Sequence, residues 1–376
     1  MKKNIIIVVS AMNMGGAQRV VSILSDHWSR NGNVVTLICT FTGEKDSHFE
    51  INNNVSISYL SDSPIFSKIK LWNLLWKLFQ LRSEIKRKNP DLVISFLARV
   101  NVASALSTIG LKFPLILCER TWPPFSSLNS NLLWIYKILF KRANKFIVQT
   151  EESKRWLKKN FKNNNVKVIP NPTLYPLPSE KEGSIKPDSI VLNNKKIILA
   201  SGRLHKVKQF DLLIYAFSQI KDEFPDWDLI ILGDGEERDF LKKIIQELSI
   251  SDRVFFPGRV GNISEWYKRA DLFVLSSKVE GFPNVLLEAM SYGVPSVSFD
   301  CDTGPRDIIE DGVNGILVNP AENEAGLGKA LKKMVSNNNF RSSVAKKAVL
   351  VRDRFSINKI MSEWDDALDQ KESSIE

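Results

Sequence analysis

Short runs of branched and aromatic apolar residues recur along this chain, and each is followed by a stretch long enough to form a helix. Such an alternation is typical of βαβ units, which build parallel sheets. The pattern predicts an α/β fold with a first helix over residues 17–28. It also predicts thirteen strands, at residues 5–9, 34–39, 55–59, 91–96, 114–118, 145–149, 166–169, 196–200, 228–232, 253–256, 272–275, 295–299 and 315–318.

A boundary near the middle of the chain divides these elements into two sets. The 376 residues exceed what a single hydrophobic core usually supports. Pro170-Asn171-Pro172 opens a stretch rich in Pro, Ser, Lys and Glu, and prolines block both helix interiors and central strands. We therefore predict two doubly wound domains, residues 1–171 and 172–354. Because ligands of such folds bind at the carboxyl ends of the strands, the two sheets are expected to face a central cleft.

Charge is distributed unevenly between the two predicted domains. Residues 1–171 contain 25 Lys and Arg and 10 Asp and Glu, a net charge of +15, whereas residues 172–376 contain 27 and 32, a net charge of −5. A basic first half predicts an anionic partner for that half alone.

The cysteines and the apolar runs bear on the compartment. Cys39, Cys118 and Cys301 lie far apart and form no C-x-x-C, which favours a reducing compartment over a disulfide framework or a cysteine zinc site. The apolar run at the amino terminus is short and reads as a buried first strand rather than a signal peptide. No stretch approaches the roughly 18 apolar residues of a membrane span.

Residues 271–292 carry most of the chemical information. A strand at 272–275 runs into a turn with Glu280, and a helix then begins near Pro283 and carries Glu288 two turns in. A helix amino terminus facing the end of a strand is an anion site, because its first N–H groups have no partner within the helix. Two carboxylates eight residues apart could bind hydroxyls on either side of a diphosphate, which predicts a nucleotide-sugar site.

Two further loops have the composition of phosphate-binding segments. Arg203 and Lys208 follow the predicted strand at 196–200, where two cations can stabilise the growing charge of a leaving diphosphate. Gly15 and Gly16 lie between the first strand and its helix. We expect them to serve a tight turn with positive φ, and equally to let backbone N–H groups approach the donor.

The segment Glu-Gly-Phe-Pro-Asn-Val-Leu-Leu-Glu at 280–288 resembles the E-x7-E motif of the retaining glycosyltransferases of family 4, which have the GT-B fold of two Rossmann-like domains. Three further segments match that family in order, at residues 15–19, 202–209 and 303–309. The resemblance covers essentially the whole chain. It is closest to the branch that builds bacterial O-antigens, capsules and N-glycan precursors on polyprenyl diphosphate.

The resemblance implies roles for these residues. Arg203, Lys208 and Glu280 would act on the diphosphate and sugar of the donor, and Glu288 would bind the ribose. The remaining donor-binding positions are Gly15, Gly16, Arg259, Val260, Phe282, Pro283, Asn284 and Val285, with the nucleobase near 259–260 and the phosphate at 282–285. Residues 233–235 would shape the site, and the role of residues 303–306 is left open. The last helix, within residues 355–376, would cross back to the first domain, with residues 1–171 binding the acceptor and 172–354 the donor.

The main departure from the family lies at Glu119 and Arg120, where many relatives have a histidine that contacts donor or acceptor. Arg120 could bind the phosphate of either substrate with Glu119 orienting it, or the two could form a structural ion pair at a strand end. None of the three histidines stands where a catalytic one is expected, and no H-E-x-x-H motif occurs. We therefore predict no catalytic metal and no cofactor beyond a UDP-sugar substrate.

Two basic, aromatic segments, residues 67–88 and 132–145, are predicted to be amphipathic helices. Apolar stripes at helical spacing are usually core, and that interpretation holds for most leucines of the first segment, Leu71, Leu74, Leu75, Leu78 and Leu81. Tryptophans beside Lys and Arg instead fit a helix on an anionic membrane surface. Both interpretations stay open, the membrane one being favoured.

These observations predict a cytoplasmic enzyme, peripheral on the inner face of the cell membrane. It would be a retaining glycosyltransferase that moves a hexose or N-acetylhexosamine from a UDP-sugar to a polyprenyl-diphosphate-linked glycan, with N-acetylgalactosamine the first expectation from the resemblance.

Three rival functions are less well supported by the sequence. A nucleotide-sugar epimerase of the same architecture would need acids and bases in the first domain that are not evident. A basic nucleic-acid-binding protein would explain the charge of the first half, but the chain lacks any RNP, KH or zinc-knuckle signature, so nucleic acid is not an expected partner. A catalytically silent scaffold is disfavoured because the basic and acidic motif residues are all present.

Overall fold

The computed structural model describes residues 2–12, 15–40, 50–62, 65, 68–123, 136–161, 165–178, 183–192 and 194–369. The chain forms two compact units. Unit 1 comprises residues 1–171 together with 360–376, and unit 2 comprises residues 172–359.

Unit 1 is built on a sheet of seven parallel strands in the order β3-β2-β1-β4-β5-β6-β7. The strands are β1 (Asn4–Val9), β2 (Val34–Cys39), β3 (Ser56–Tyr59), β4 (Leu92–Phe96), β5 (Leu115–Cys118), β6 (Lys145–Val148) and β7 (Val166–Val168). The helices of this part are α1 (Gly16–Arg30), α2 (Lys70–Lys88), α3 (Ala98–Ser107) and α4 (Glu151–Phe161). The central strands are apolar and buried along almost their whole length, as expected when helices cover both faces of a parallel sheet.

Unit 2 repeats this plan with six parallel strands in the order β10-β9-β8-β11-β12-β13. The strands are β8 (Lys196–Ser201), β9 (Trp227–Leu232), β10 (Val254–Gly258), β11 (Leu272–Leu275), β12 (Ser296–Phe299) and β13 (Ile316–Val318). Its helices are α5 (Phe210–Ser218), α6 (Arg238–Glu247), α7 (Ile263–Arg269), α8 (Asn284–Ser291), α9 (Pro305–Ile308), α10 (Asn323–Ser336), α11 (Asn338–Ala348) and α12 (Val351–Arg354).

The strand order defines one special position in each sheet. In unit 1 the order reverses direction between β1 and β4, and in unit 2 between β8 and β11. The loops after these strand pairs diverge to opposite faces, which leaves a crevice at their carboxyl ends. In unit 2 that position receives the loop after β8 and the loop after β11.

The last helix, α13 (Ile357–Asp369), packs on unit 1 through its second half. Trp364 is completely buried, and its ring lies 6.1 Å from that of Trp28 and 6.0 Å from that of Phe96. Lys145 and Lys167 donate hydrogen bonds to the carbonyls of residues 367 and 363, at 2.7 and 2.8 Å. Cations at the carboxyl-terminal end of a helix also complement its dipole.

The structure confirms the predicted α/β class of two parallel-sheet units. All thirteen predicted strands are present, and their ends differ from the predicted ones by at most two residues. The first helix begins and ends within two residues of its predicted limits. Branched apolar runs buried on both faces leave little ambiguity about where a strand lies.

Helix α2 departs from the core interpretation of its leucines. Leu71, Leu74 and Leu75 are 64%, 52% and 47% exposed, together with Trp72 and Phe79, and only Leu81 and Ile85 are buried. The core interpretation is therefore wrong for the first three turns, because unit 1 covers only the last turns of the helix. In the second amphipathic segment, residues 132–135 lie outside the described residues, and Tyr136 and Phe140 are buried. Across the described ranges, no helix is both long and apolar enough to cross a bilayer.

Candidate active site

Lys208 and Glu280 meet at the carboxyl edge of the unit 2 sheet, where its strand order reverses. Lys208 ends a short 3-10 turn, Lys206–Lys208, in the loop after β8, and Glu280 lies in the loop after β11. The Lys208 Nζ atom lies 2.6 Å from Glu280 Oε1, and the two side chains are only 23% and 12% exposed. The strand order therefore brings together two of the three residues predicted to be catalytic.

Backbone contacts hold these two loops against each other. The Ser276 hydroxyl donates to the carbonyl of Lys208 at 2.7 Å, and the N–H of Lys278 donates to the carbonyl of Val207 at 2.8 Å. The turn itself is capped by His205, whose Nδ1 accepts from the N–H of Val207 at 3.1 Å. Lys208 is thus presented by a turn with fixed backbone geometry.

Arg203, the third predicted catalytic residue, has a different partner. Its Nη2 lies 3.3 Å from Glu236 Oε2, and its side chain is 70% exposed. His205 Nε2 approaches the same carboxylate at 3.5 Å. The guanidinium is therefore held loosely at the surface, in the same loop as Lys208 but not in its ion pair.

The Gly-Asp-Gly segment at 233–235 packs against the backbone of the loop that carries Arg203. Gly233 has a φ of +127°, and a Cβ there would overlap the carbonyl oxygen of Gly202. The N–H of Leu204 donates to the carbonyl of Asp234 at 3.0 Å. Residue 233 must be glycine because its backbone touches that of Gly202. The Gly-Asp-Gly segment therefore supports the loop that carries Arg203.

Residues 303–305 brace the Glu280 loop, a relationship that sequence reasoning left open. The Thr303 hydroxyl donates to the backbone carbonyl of Glu280 at 2.6 Å. Gly304 has a φ of +97°, and a Cβ there would stand 2.6 Å from Pro283 Cδ and 2.9 Å from the carbonyl oxygen of Gly281. The Thr-Gly-Pro turn thus fits closely behind the segment from Glu280 to Pro283.

Glu288 lies in the middle of α8, a helix that begins at Asn284 with Pro283 as its N-cap. Its side chain is buried, since only 7% of the residue is exposed, and its Oε2 accepts a hydrogen bond from the Tyr267 hydroxyl at 3.1 Å. The first backbone N–H groups of α8 belong to residues 284–286 and point out of its amino terminus. Phe282, just before the helix, packs its ring 5.4 Å from that of Phe355.

Arg259 and Val260 follow β10, which is the edge strand of the unit 2 sheet. Two strands, β9 and β8, separate β10 from β11, which corresponds to about 14 Å at the usual strand spacing. Arg259 is exposed and Val260 is half-buried. Arg259 and Val260 therefore lie at the carboxyl ends of the strands, as the Lys208–Glu280 pair does, but three strand positions away from β11.

The two predicted donor-binding glycines of unit 1 are at the start of α1. Gly15 is its N-cap, with a φ of 174°, and Gly16 is its first residue. A φ of this value is extended backbone that any residue adopts, and Gly16 is not among the glycines with positive φ. The expectation of a turn with positive φ was wrong, because the chain enters the helix directly from an extended residue.

Glu119, at the end of β5, is buried with polar neutral partners. Its Oε1 accepts hydrogen bonds from the Tyr136 hydroxyl and from Asn101 Nδ2, the latter at 2.9 Å. Burial raises the pKa of this carboxyl to about 7, although both hydrogen bonds act in the opposite direction.

Arg120 points away from Glu119. Both residues are described by the structure, and their side chains form no ion pair with each other. The Arg120 guanidinium lies over the rings of Phe96 and Trp364, at 5.1 and 5.3 Å, and its Nη1 donates to Asn171 Oδ1 at 3.2 Å. The proposed orientation of Arg120 by Glu119 and the alternative ion pair are both wrong. Successive side chains of an extended segment point in opposite directions, so neighbours in sequence do not meet.

The described residues contain no group of three His, Cys, Asp or Glu side chains placed to hold a metal ion. The three cysteines are buried free thiols, and burial raises the pKa of Cys118 and Cys301 to about 12 each.

Two protein families match different halves of the chain. Residues 14–173 match the family described as Glycosyltransferase Family 4, and residues 183–350 match Glycosyl transferases group 1. The chain is 28% identical to the amylovoran biosynthesis glycosyltransferase AmsD of Erwinia amylovora, over 98% of this chain and 100% of that protein.

A second relative comes from Campylobacter jejuni. It is the GalNAc-alpha-(1->4)-GalNAc-alpha-(1->3)-diNAcBac-PP-undecaprenol alpha-1,4-N-acetyl-D-galactosaminyltransferase, 28% identical over 95% of this chain and 96% of that protein. Among solved structures, HepE of Anabaena in complex with UDP-glucose superimposes with a TM-score of 0.78 at 20% identity, over 98% of this chain and 100% of that one. Together with the two family matches, which cover most of the sequence, these similarities show that the chain belongs to the glycosyltransferases of the GT-B fold, with a family 4 domain followed by a group 1 domain.

Proposed function

We propose that this enzyme is a retaining glycosyltransferase of bacterial surface polysaccharide synthesis. It transfers a hexose or N-acetylhexosamine from a UDP-sugar to a glycan carried on polyprenyl diphosphate, and N-acetylgalactosamine is the first candidate sugar. The names of its relatives support the pathway: one belongs to amylovoran biosynthesis and another extends an undecaprenol-linked glycan with N-acetylgalactosamine.

The observation that carries this proposal is the contact between Lys208 and Glu280 at the point where the unit 2 sheet reverses its strand order. Diphosphate is a poor leaving group unless its growing negative charge is stabilised, and a preorganised ammonium supplies that stabilisation. Glu280 keeps Lys208 in place before the donor binds and provides an acceptor for sugar hydroxyls. Arg203, exposed in the same loop, adds a second cation to the diphosphate.

The remaining donor contacts follow the same edge of unit 2. Glu288, held by Tyr267, accepts hydrogen bonds from the ribose hydroxyls. Backbone groups at Phe282, Asn284 and Val285 surround the phosphates at the start of α8, where the helix dipole favours an anion. The loop at 259–260 takes the nucleobase. UDP is supported as the nucleotide by the structural similarity to HepE, which was crystallised with UDP-glucose.

We assign the acceptor to unit 1, where Gly15 and Gly16 also let the backbone come close to the donor. The surplus of positive charge in residues 1–171 suits an acceptor that carries a diphosphate. The exposed apolar face of α2 and its neighbouring lysines suit the surface of an anionic membrane, where such an acceptor resides. The enzyme would then be peripheral on the cytoplasmic face of the membrane.

In the reaction, the bond between the sugar and the diphosphate breaks. The acceptor hydroxyl attacks the sugar on the face from which the diphosphate departs. The departing phosphate oxygen takes the proton of that hydroxyl, so the product keeps the α configuration without a protein nucleophile. The side chains contribute positioning and electrostatic stabilisation. Neither a metal ion nor a cofactor is needed in this scheme.

A panel assay tests the proposal. The purified enzyme is incubated with UDP- and GDP-linked hexoses and N-acetylhexosamines, and release of nucleotide is measured with and without a polyprenyl-diphosphate-linked saccharide. Release that depends on the acceptor and is restricted to UDP-sugars is the expected result. Interconversion of the donors without release of nucleotide would instead identify an epimerase, and release from no donor would refute the proposal.

A further inference from the structure

Arg120 is a buried cation, and three of its five guanidinium N–H groups, those on Nε and Nη2, have no hydrogen-bond partner. The residue is 7% exposed, and its Nε and Nη2 atoms are buried without any hydrogen-bond partner. These two nitrogens form one edge of the guanidinium, the edge that binds carboxylate and phosphate groups through two parallel hydrogen bonds. The other end of the group is held by Asn171.

The surroundings of Arg120 fix its position without neutralising its charge. Phe96 and Trp364 lie on the guanidinium at 5.1 and 5.3 Å. The neighbouring carboxylate, Glu119, is directed to Tyr136 and Asn101, and the described residues place no carboxylate within ion-pair distance of Arg120. Burial of a cation without a partner is unfavourable and lowers the pKa of Arg120 to about 10. A bound anion would provide the missing charge.

A second unpartnered donor belongs to Trp364, whose ring lies against the Arg120 guanidinium at 5.3 Å. The indole Nε1 of Trp364 is also buried without a hydrogen-bond partner, although buried tryptophans usually find one. Trp364 belongs to α13, the helix by which the chain returns to unit 1 after unit 2 is complete. The last helix therefore completes the surroundings of Arg120.

We propose that the Nε–Nη2 edge of Arg120, assisted by the indole N–H of Trp364, binds a phosphoryl group of the acceptor diphosphate. This inference rests on the proposed function and deepens it, since it separates an acceptor phosphate site in unit 1 from the donor diphosphate site at Lys208 in unit 2. Trp364 thereby becomes a ligand-binding residue although it lies far from any motif in the sequence.

The test measures binding rather than turnover, with Lys208→Ala as the background so that the lysine of the donor site does not bind the phosphate probes. The probes are farnesyl diphosphate, farnesol as its uncharged counterpart, and UDP, each titrated by calorimetry. Arg120→Met should weaken farnesyl diphosphate binding about 10-fold or more, and Arg120→Lys, which keeps the charge but not the paired N–H groups, about 5-fold. Trp364→Phe, which keeps the ring but not the N–H, should weaken it about 3-fold. Binding of farnesol should not change.

The outcomes distinguish the acceptor diphosphate from the donor diphosphate as the ligand of Arg120. They also distinguish failure of the Arg120 site from failure of the proposed function. A loss confined to UDP would show that the edge binds the donor diphosphate, and would refute its assignment to the acceptor. Unchanged affinity for every probe in folded Arg120→Lys and Arg120→Met proteins would overturn the site altogether, even where the panel assay shows transfer. Conversely, loss of farnesyl diphosphate binding in these variants would uphold the site even where no UDP-sugar is turned over.

Discussion

Lys208 and Glu280 form an ion pair of 2.6 Å across 72 residues of sequence, and each comes from the loop after a different central strand. The pair joins the two strands between which the sheet order reverses, so the ion pair lies where ligands of this kind of sheet bind. A donor diphosphate that binds here, as proposed, would share or displace this interaction. The lysine would then be in position before the phosphate arrives.

Glu280 and Glu288 should have separable effects on binding and turnover. Glu288, in α8, is buried and accepts a hydrogen bond from Tyr267. We assign Glu288 to the ribose, which is bound equally in the ground state and the transition state. Glu288→Gln should weaken UDP binding about 10-fold with a smaller change in kcat, whereas Glu280→Gln should lower kcat more than it weakens UDP binding. Calorimetry with UDP and steady-state kinetics provide the comparison. Equal losses of UDP affinity in the two variants would contradict this division of roles.

Thr303 should affect turnover through Glu280 without touching substrate. Its hydroxyl holds the backbone carbonyl of Glu280 at 2.6 Å. Thr303→Val keeps the shape of the side chain but loses the hydrogen bond, worth about 1 kcal/mol, and we expect turnover to fall about 5-fold. Thr303→Ser keeps the hydroxyl and serves as the matched control, with turnover close to that of the parent. If Ser and Val variants behave alike, the hydrogen bond does not position Glu280.

Glu119 should make the stability of the enzyme depend on pH. Burial raises its pKa from 4.5 to about 7 in the folded state. The folded state therefore holds a proton that the unfolded state releases at lower pH, so this contribution is complete below pH 4.5 and is lost as the pH rises towards 7. The loss amounts to about 3 kcal/mol at most.

Glu119→Gln tests this pH dependence, because the amide resembles the protonated carboxyl and does not titrate. Melting temperatures of parent and variant are compared at about pH 5 and about pH 8, on either side of the folded-state pKa. The parent should lose stability relative to the variant between these values. Parallel changes in the two proteins would show that Glu119 does not hold the proton.

The exposed face of α2 should bind anionic membranes. Leu71 and Leu75 are exposed on this face, and Lys68 and Lys70 lie at the start of the helix. Each lysine near an anionic surface contributes roughly 1 kcal/mol, screened over about 8 Å at physiological salt. The parent should sediment with vesicles containing anionic phospholipid and much less with neutral vesicles.

Two sets of variants examine that membrane contact. Lys68→Glu with Lys70→Glu, and Leu71→Asp with Leu75→Asp, should each release the protein from anionic vesicles. Phe240→Asp is the matched control, since Phe240 is 49% exposed on α6 of unit 2 and should not matter. Lys77 is left unchanged because it already pairs with Asp62 at 2.8 Å. Sedimentation of all variants like the parent would return α2 to a solvent-exposed helix without a membrane role.

The fold was largely predictable from the sequence, because its strands are apolar on both faces and the prolines at 170–172 mark the boundary between units. The positions of Lys208, Glu280 and Glu288 relative to strands were also predictable. Their neighbours were not. Thr303 meets Glu280 only through the order of the strands, which periodicity does not reveal.

Two other differences have local causes. The stripe of leucines in α2 has helical spacing, and spacing alone does not tell whether a protein surface covers it. Glu119 and Arg120 look like an ion pair when written side by side, yet extended backbone directs them to opposite sides. The unused N–H groups of Arg120 and the contribution of Trp364 come from residues far apart in the sequence and required the structure.

The most direct test of the account is the turnover of Lys208→Ala measured beside that of Lys206→Ala, with a UDP-sugar donor and a polyprenyl-diphosphate-linked acceptor. Both lysines belong to the same short turn, but Lys206 is exposed and makes no contact with Glu280 among the described residues, whereas Lys208 pairs with it. Loss of a preorganised charge at a leaving group should lower kcat about 10²-fold or more in Lys208→Ala, and Lys206→Ala should stay within about twofold of the parent. A folded Lys208→Ala enzyme that turns over like the parent would contradict the assignment of this site to the donor diphosphate.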